Sequence, residues 1–223
     1  PDGKLYFDVP GGTVCAGENQ IPRTSAGWNT VQNYVAARNA GSQVIVSSDE
    51  IPLFMMGELL NDPYRLVHKH EKQHIYSWVM NNYWTTNFRA SQEGELRWSY
   101  ALTSTTDSSN SAATEFGRSN RVPVYARVMP SSKTSAYVGN PRERSFINVE
   151  APNLTVASCW PSRFGGKSVI LNIVETDGRP AELKITGVDG KLLPHSFVNV
   201  LEESVEGRAE VAPKGNVFVK IDL

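Results

Sequence analysis

Sulfur is scarce in this chain. Its 223 residues include two cysteines, Cys15 and Cys159, too few for a disulfide scaffold and no guide to the redox compartment. No apolar run approaches the length that crosses a bilayer, and the N-terminus carries neither a signal peptide nor an initiator Met. Pro1-Asp2-Gly3-Lys4 reads as a cut inside a longer protein, and the place of that protein in the cell stays open, periplasmic or extracellular included. Charge of one sign is lacking too. Lys and Arg number 22 against 23 Asp and Glu, a formal net charge of -1 without clusters. That balance speaks against nucleic acid or an anionic membrane as partner. With 40% hydrophobic and 20% charged residues, the chain has the make-up of a soluble globular protein of one large or two modest domains.

Aromatic residues are present and concentrated. His74 to Tyr100 holds Trp78, Trp84 and Trp98 together with Tyr76, Tyr83 and Tyr100. Two apolar runs flank the polar bridge Thr85–Gly94, the pattern of a long hairpin whose tip is packed or functional. In the second run Leu96, Trp98, Tyr100 and Leu102 alternate with Glu95, Arg97, Ser99 and Ala101, so a strand would turn the four apolar side chains toward a core.

The rest reads as all-β. Lys4–Val9 alternates and stops at Pro10-Gly11-Gly12, a strand and its turn, while Val14–Gly27 has no clear period and reads as loop. Residues 31–39 and 42–48 around Ala40-Gly41 form a hairpin in preference to a helix over Trp28–Arg38, because branched residues continue past the glycine. Ile51–Leu60 is a strand entered through Pro52. Thr103–Asn120, rich in Ser, Thr and Asn, reads as a flexible loop with room for one helical turn at Ala112–Gly117. Val122–Val128 is a strand with an edge or starting proline. Turn chemistry between 130 and 145 suggests two regions, 1–145 and 146–223, which can also pack as one unit. The second carries short strands at sandwich spacing: Phe146–Val149, Leu154–Trp160, Ser168–Glu175, Ala181–Thr186, His195–Val200, Ser204–Val211 and Asn216–Ile221.

His70-Glu71-Lys72-Gln73-His74 matches H-E-x-x-H, with Glu93 nineteen residues after His74 in a spacing that resembles gluzincin metallopeptidases. The chemistry needs both histidines on one helix face to bind zinc, Glu71 to polarise the bound water, and Glu93 on a second helix. The flanks instead suit a solvated loop entering a strand, and Glu93 precedes Gly94 in a turn. His68 adds only adventitious metal affinity. Glu93/Glu95 and Glu202/Glu203 each fall within one loop and read as solvated charges in preference to a glycosidase pair. No Gly-x-Ser-x-Gly turn accompanies Ser and His. Arg163–Lys167 lacks P-loop spacing and reads as a hairpin turn. Asn153-Leu154-Thr155 is a glycosylation sequon only in a eukaryotic secretory pathway.

Tyr76–Phe88, Gln92–Leu96 and Arg97–Tyr100 together resemble the C-terminal β region of glycoside hydrolase family 38 α-mannosidases. The likeness is most specific at Asn81-Asn82-Tyr83-Trp84, extends upstream to Ile51–Gly57 and downstream to Asn153–Cys159 and Ser168–Glu175, and loosens after residue 130. It implies a supersandwich of the galactose mutarotase kind followed by a smaller β-sandwich. It also implies a non-catalytic role beside an upstream barrel of the same polypeptide, which holds the zinc and the catalytic carboxylates; none of those residues maps onto this chain, and this part itself needs no cofactor. In that setting Asn81, Asn82, Trp84 and Asn87 can meet sugar hydroxyls and stack on a glycan. The same asparagines can satisfy backbone at a sheet bend while Trp84 packs, the use more often made of buried polar groups. An autonomous carbohydrate-binding module is the rival reading, and an H-E-x-x-H zinc peptidase a more distant one.

Overall fold

The computed structural model describes residues 2–24, 27–59, 70–80, 91–127, 145–207 and 209–223. Its chain divides into two compact units, Pro1–Val122 and Pro123–Leu223. Both are built from antiparallel strands, as the all-β reading requires.

The first unit contains β1 (Lys4–Val9), β2 (Gly12–Cys15), β3 (Asn29–Thr30), β4 (Val35–Arg38), β5 (Gln43–Ser47), β6 (Leu53–Met56), β7 (Ile75–Ser77), β8 (Ala101–Thr105) and one helix, α1 (Asn110–Arg121). β1 turns into β2 through Pro10-Gly11, with Val9 paired to Gly12 and Gly11 at φ 91°. Proline fixes the first central residue of such a turn, and glycine supplies the positive φ of the second. β4 and β5 form the expected hairpin, Arg38 opposite Gln43. The Asn39 side-chain oxygen closes its loop by accepting from the N–H groups of Gly41 and Ser42.

A five-stranded sheet runs β2-β1-β4-β5-β8, and a three-stranded sheet runs β3-β6-β7. Leu5, Phe7 and Val35 on one face of the larger sheet pack with Phe54 and Met56 of the smaller one and with Val31 just past β3. The opposite face carries Tyr6, Ala36 and Ile45, which pack with Ala113 and Phe116 of the helix. The larger sheet therefore lies between a second sheet and a helix.

Three expectations are corrected here. The segment read as a flexible loop holds α1, capped by the Ser109 hydroxyl, which accepts from the Ala112 N–H at 3.1 Å. Its buried face is Ala113, Thr114 and Gly117. A Cβ at Gly117 would come within 2.8 Å of the Asn33 carbonyl oxygen. Small residues permit that approach, and small residues leave a faint hydrophobic period. Arg38 fastens the helix start: its guanidinium donates to Asn110 Oδ1 at 2.6 Å and to Gln43 Oε1 at 3.0 Å, and lies 4.4 Å above the Tyr6 ring. Second, the flanks of the aromatic stretch do not pair as a hairpin. β7 joins β6 and β8 joins β5, in different sheets. Third, Val122–Ala126 lies in no sheet, with Val124 93% and Tyr125 90% exposed.

The second unit contains β9 (Ile147–Val149), β10 (Leu154–Pro161), β11 (Ser168–Glu175), β12 (Ala181–Glu182), β13 (Ile185–Gly187), β14 (His195–Val198), β15 (Glu210–Val211) and β16 (Asn216–Asp222). The main sheet runs β10-β11-β16-β14, with two-stranded pairs β9-β13 and β12-β15. Leu171, Ile173, Val219 and Ile221 on the sheet meet Ile185 and Val211 from the pairs in one core. The stretch 181–186 is thus two short strands with different partners, and 204–211 pairs only through β15 and a single bridge from Ser204 to Val198. Among the described residues no helix is long and apolar enough to cross a membrane.

Candidate functional site

Asn81, Asn82, Trp84 and Asn87 lie outside the described residues. The residues on either side of them are described, and they carry exposed apolar side chains. Trp78, just past β7, meets Trp28 with ring centroids 3.6 Å apart. Ser77 is hydrogen-bonded to the Tyr100 hydroxyl at 2.8 Å, which brings the start of β8 beside the end of β7. Val79, Met80, Tyr100 and Leu102 are all exposed.

The sheet register explains this exposure. Phe7, Val35, Val46 and Leu102 form one row across four strands. Phe7 and Val35 are 3% and 0% exposed, Val46 is half-buried, and Leu102 is 69% exposed. Among the described residues, the smaller sheet covers the β1–β4 half of this face and leaves the β5–β8 half open. Leu96, Trp98, Tyr100 and Leu102 therefore do not share a core as their alternation suggests: the strand begins only at Ala101, and Leu102 sits on the uncovered half. Exposed apolar side chains that are contiguous mark an interaction surface more often than scattered ones do.

The H-E-x-x-H residues are not helical. Residues 70–74 run irregularly into β7. His70 packs against Gly57, His74 Nδ1 lies 3.0 Å from the Tyr76 hydroxyl, and Glu93 is exposed in an irregular segment. Two histidines four apart converge on one metal ion when they stand one turn apart on a helix, and this segment is not helical, so the geometry a zinc peptidase needs is not formed. Among the described residues no group of three His, Cys, Asp or Glu side chains is placed to hold a metal ion, so this donor set does not fit a zinc site. Three of the four carboxylates weighed for hydrolysis are engaged: Glu95 with Arg97, Glu202 with Ser162 Oγ at 2.6 Å, Glu203 with the Asn199 amide at 2.8 Å.

Two buried carboxylates were not foreseen in the sequence. Asp8, 6% exposed, accepts from the N–H groups of Asn33 and Tyr34 and from the Asn33 amide. Burial pushes its carboxyl above the usual range despite these bonds. Glu175, 1% exposed, is also pushed up by burial, yet donors from Lys214 N, the Asn153 amide, Asp177 N and Gly178 N hold it below the usual range. Asn153 donates to Glu175 Oε1 at 2.8 Å and to the Arg179 carbonyl, so the sequon asparagine is a buried structural donor. Cys15 is buried and Cys159 exposed, both as free thiols.

The fold defines a β-protein of packed antiparallel sheets in which, among the described residues, half of one sheet face of the first unit is uncovered. Solved structures share that fold. An alpha-mannosidase from Enterococcus faecalis V583 superposes with a TM-score of 0.62 at 11% identity, over 98% of this chain and 24% of its own. A glycosyl hydrolase family 38 protein from Enterococcus faecalis gives 0.60 at 12% identity, over 98% of this chain and 25% of its own. The chain thus spans about a quarter of each, and at this identity the likeness is one of fold. No family model and no curated protein matches the sequence.

Proposed function

We propose that the chain is a non-catalytic C-terminal β region of a glycoside hydrolase family 38-like polypeptide, and that its open face supports the catalytic barrel. The observation that carries this reading is the exposure gradient along the Phe7–Val35–Val46–Leu102 row. A sheet that is sealed at one half and bare at the other has a partner surface to meet. The fold match agrees, since nearly the whole chain corresponds to about a quarter of larger enzymes. In this reading the barrel supplies zinc and the hydrolytic carboxylates. The β region contributes rigidity and, through residues 81–87, one edge of the carbohydrate site.

Expression of the chain with and without its upstream coding sequence tests the proposal. The short form is expected to bind a hydrophobic dye and to leave an aryl α-mannoside uncleaved; the longer form is expected to lose the dye and gain hydrolysis. Turnover by the short form alone, or dye binding unchanged in the long form, counts against it.

A further inference from the structure

Helix α1 ends where its sequence requires. Val122 precedes Pro123, and a residue before proline is pushed out of the helical region; it stands at φ -88° and ψ 113°, its N–H still donating to the Arg118 carbonyl at 2.8 Å. The residues that follow, Pro123-Val124-Tyr125-Ala126-Arg127, are irregular and exposed throughout, Val124 at 93% and Tyr125 at 90%. Among the described residues, none pairs its backbone with theirs. The stretch also marks where the chain divides, Val122 closing the first unit and Pro123 opening the second.

A plain connector accounts for the exposure and leaves two observations over. Val122, Val124 and Tyr125 are branched or aromatic, the kind of residue that stands in strands, and here they are exposed. The second is the backbone: Pro123 lacks an N–H, but Val124 to Arg127 keep both main-chain groups, with no backbone partner among the described residues. Exposed apolar side chains of the second unit sit instead on backbone that is already bonded. Phe164, Leu192 and Leu201 are 67%, 66% and 51% exposed. Beside them the Gly165 N–H donates to the Ser162 carbonyl, the Gly187 N–H to that of Lys191 and the Glu202 N–H to that of Asn199, so each lies at a closed turn.

We propose that Pro123–Arg127 is a processing site for an endopeptidase that selects an aromatic side chain, and that the bond cut joins Tyr125 to Ala126. Such enzymes hold a substrate as an extended strand, main chain against main chain, with one side chain in a selecting pocket. This stretch offers both, an unpaired backbone and a tyrosine ring free to enter an apolar slot. Water is the co-reactant: the C–N bond breaks, the Tyr125 carbonyl carbon takes the hydroxyl and the Ala126 nitrogen takes the proton. The cut leaves Leu5, Phe7, Val35 and the α1 contacts in one piece and Leu171, Ile173, Val219 and Ile221 in the other, so neither core is divided. Cleavage at Phe164 or Leu201 requires a turn to open first, and its rate is then held down by the small open fraction. No residue of the open face takes part, so the site stands apart from the supporting role.

Timed digestion of the full chain with a trace of α-chymotrypsin, read by intact mass, tests it. Pieces 1–125 and 126–223 are expected before any product that ends at Phe164, Leu192 or Leu201. Tyr125→Ser, a change at an exposed side chain, is expected to leave the melting temperature in place and to abolish that pair of products. A 125–126 bond that resists the enzyme, earlier cleavage at Phe164, Leu192 or Leu201, or the same pair of products from Tyr125→Ser would each overturn the assignment.

Discussion

Asp8 and Glu175 are buried carboxylates of near-equal exposure, one in each unit, and their acidities move in opposite directions. What separates them is how strongly burial acts on each and how many donors oppose it. Asp8 gathers three bonds, two on one oxygen, and desolvation outweighs them. Glu175 gathers four, two on each oxygen, from a side-chain amide and two turns. The acidity of each group is thus set by burial working against the donors that turn toward it. The same contrast holds for the units as wholes. The second closes its turns around a carboxylate that orders them, while the first leaves half a sheet face uncovered.

The sharpest way to break the comparison is Glu175→Gln. An amide can accept with only one of its two ends, so even in its better orientation the Asp177 N–H and the Asn153 amide lose their partner, and the second unit is expected to lose roughly 3 kcal/mol, read from urea unfolding. Gly117→Ala comes next. Its Cβ would press on the Asn33 backbone, and the net loss expected in the first unit is about 2 kcal/mol even against alanine's better helix propensity. Asp8→Asn is milder, about 1 kcal/mol, because one amide oxygen can keep both backbone bonds and the Asn33 amide can turn to match.

Acidity provides a test of sign. Glu175, with a folded value below its ordinary 4.5, contributes stability that is present above that value and lost as pH falls through the lowered one. Asp8, raised from its ordinary 3.8, contributes the reverse, present below that value and lost as pH rises through the raised one. Unfolding midpoints of each unit across the acid range should shift oppositely, and Asp8→Asn and Glu175→Gln should each flatten one curve. The smallest effect is expected at the open face: Leu102→Ser should change stability by less than about 0.5 kcal/mol while reducing dye binding.

Much of this fold was legible because its strands announce themselves. Val35–Arg38 and Gln43–Ser47 are joined by a loop whose asparagine and glycine fit the turn, and Leu154–Pro161, Ser168–Glu175 and Asn216–Asp222 are short runs rich in branched and aromatic residues. Helix α1 was hidden because it packs with Ala113, Thr114 and Gly117, side chains chosen for closeness rather than for apolar area. Pairing across sheets was not legible either. Ile75–Ser77 and Ala101–Thr105 both suit strands, but nothing local reveals that each finds an earlier partner in place of the other. Of the candidate site, the aromatic flanks were visible as composition. The buried carboxylates were not, because Asp8 and Glu175 resemble any other acidic residue at a strand end until turns from distant sequence close on them.

Amide hydrogen exchange of the short chain against the longer polypeptide tests the central claim most directly. If the uncovered half of the first sheet meets the upstream domain, amides at residues 77–80 and 100–104 gain protection in the longer form, while those of β11 and β16 stay as they were. Equal exchange at 77–80 and 100–104 in both forms would contradict the account.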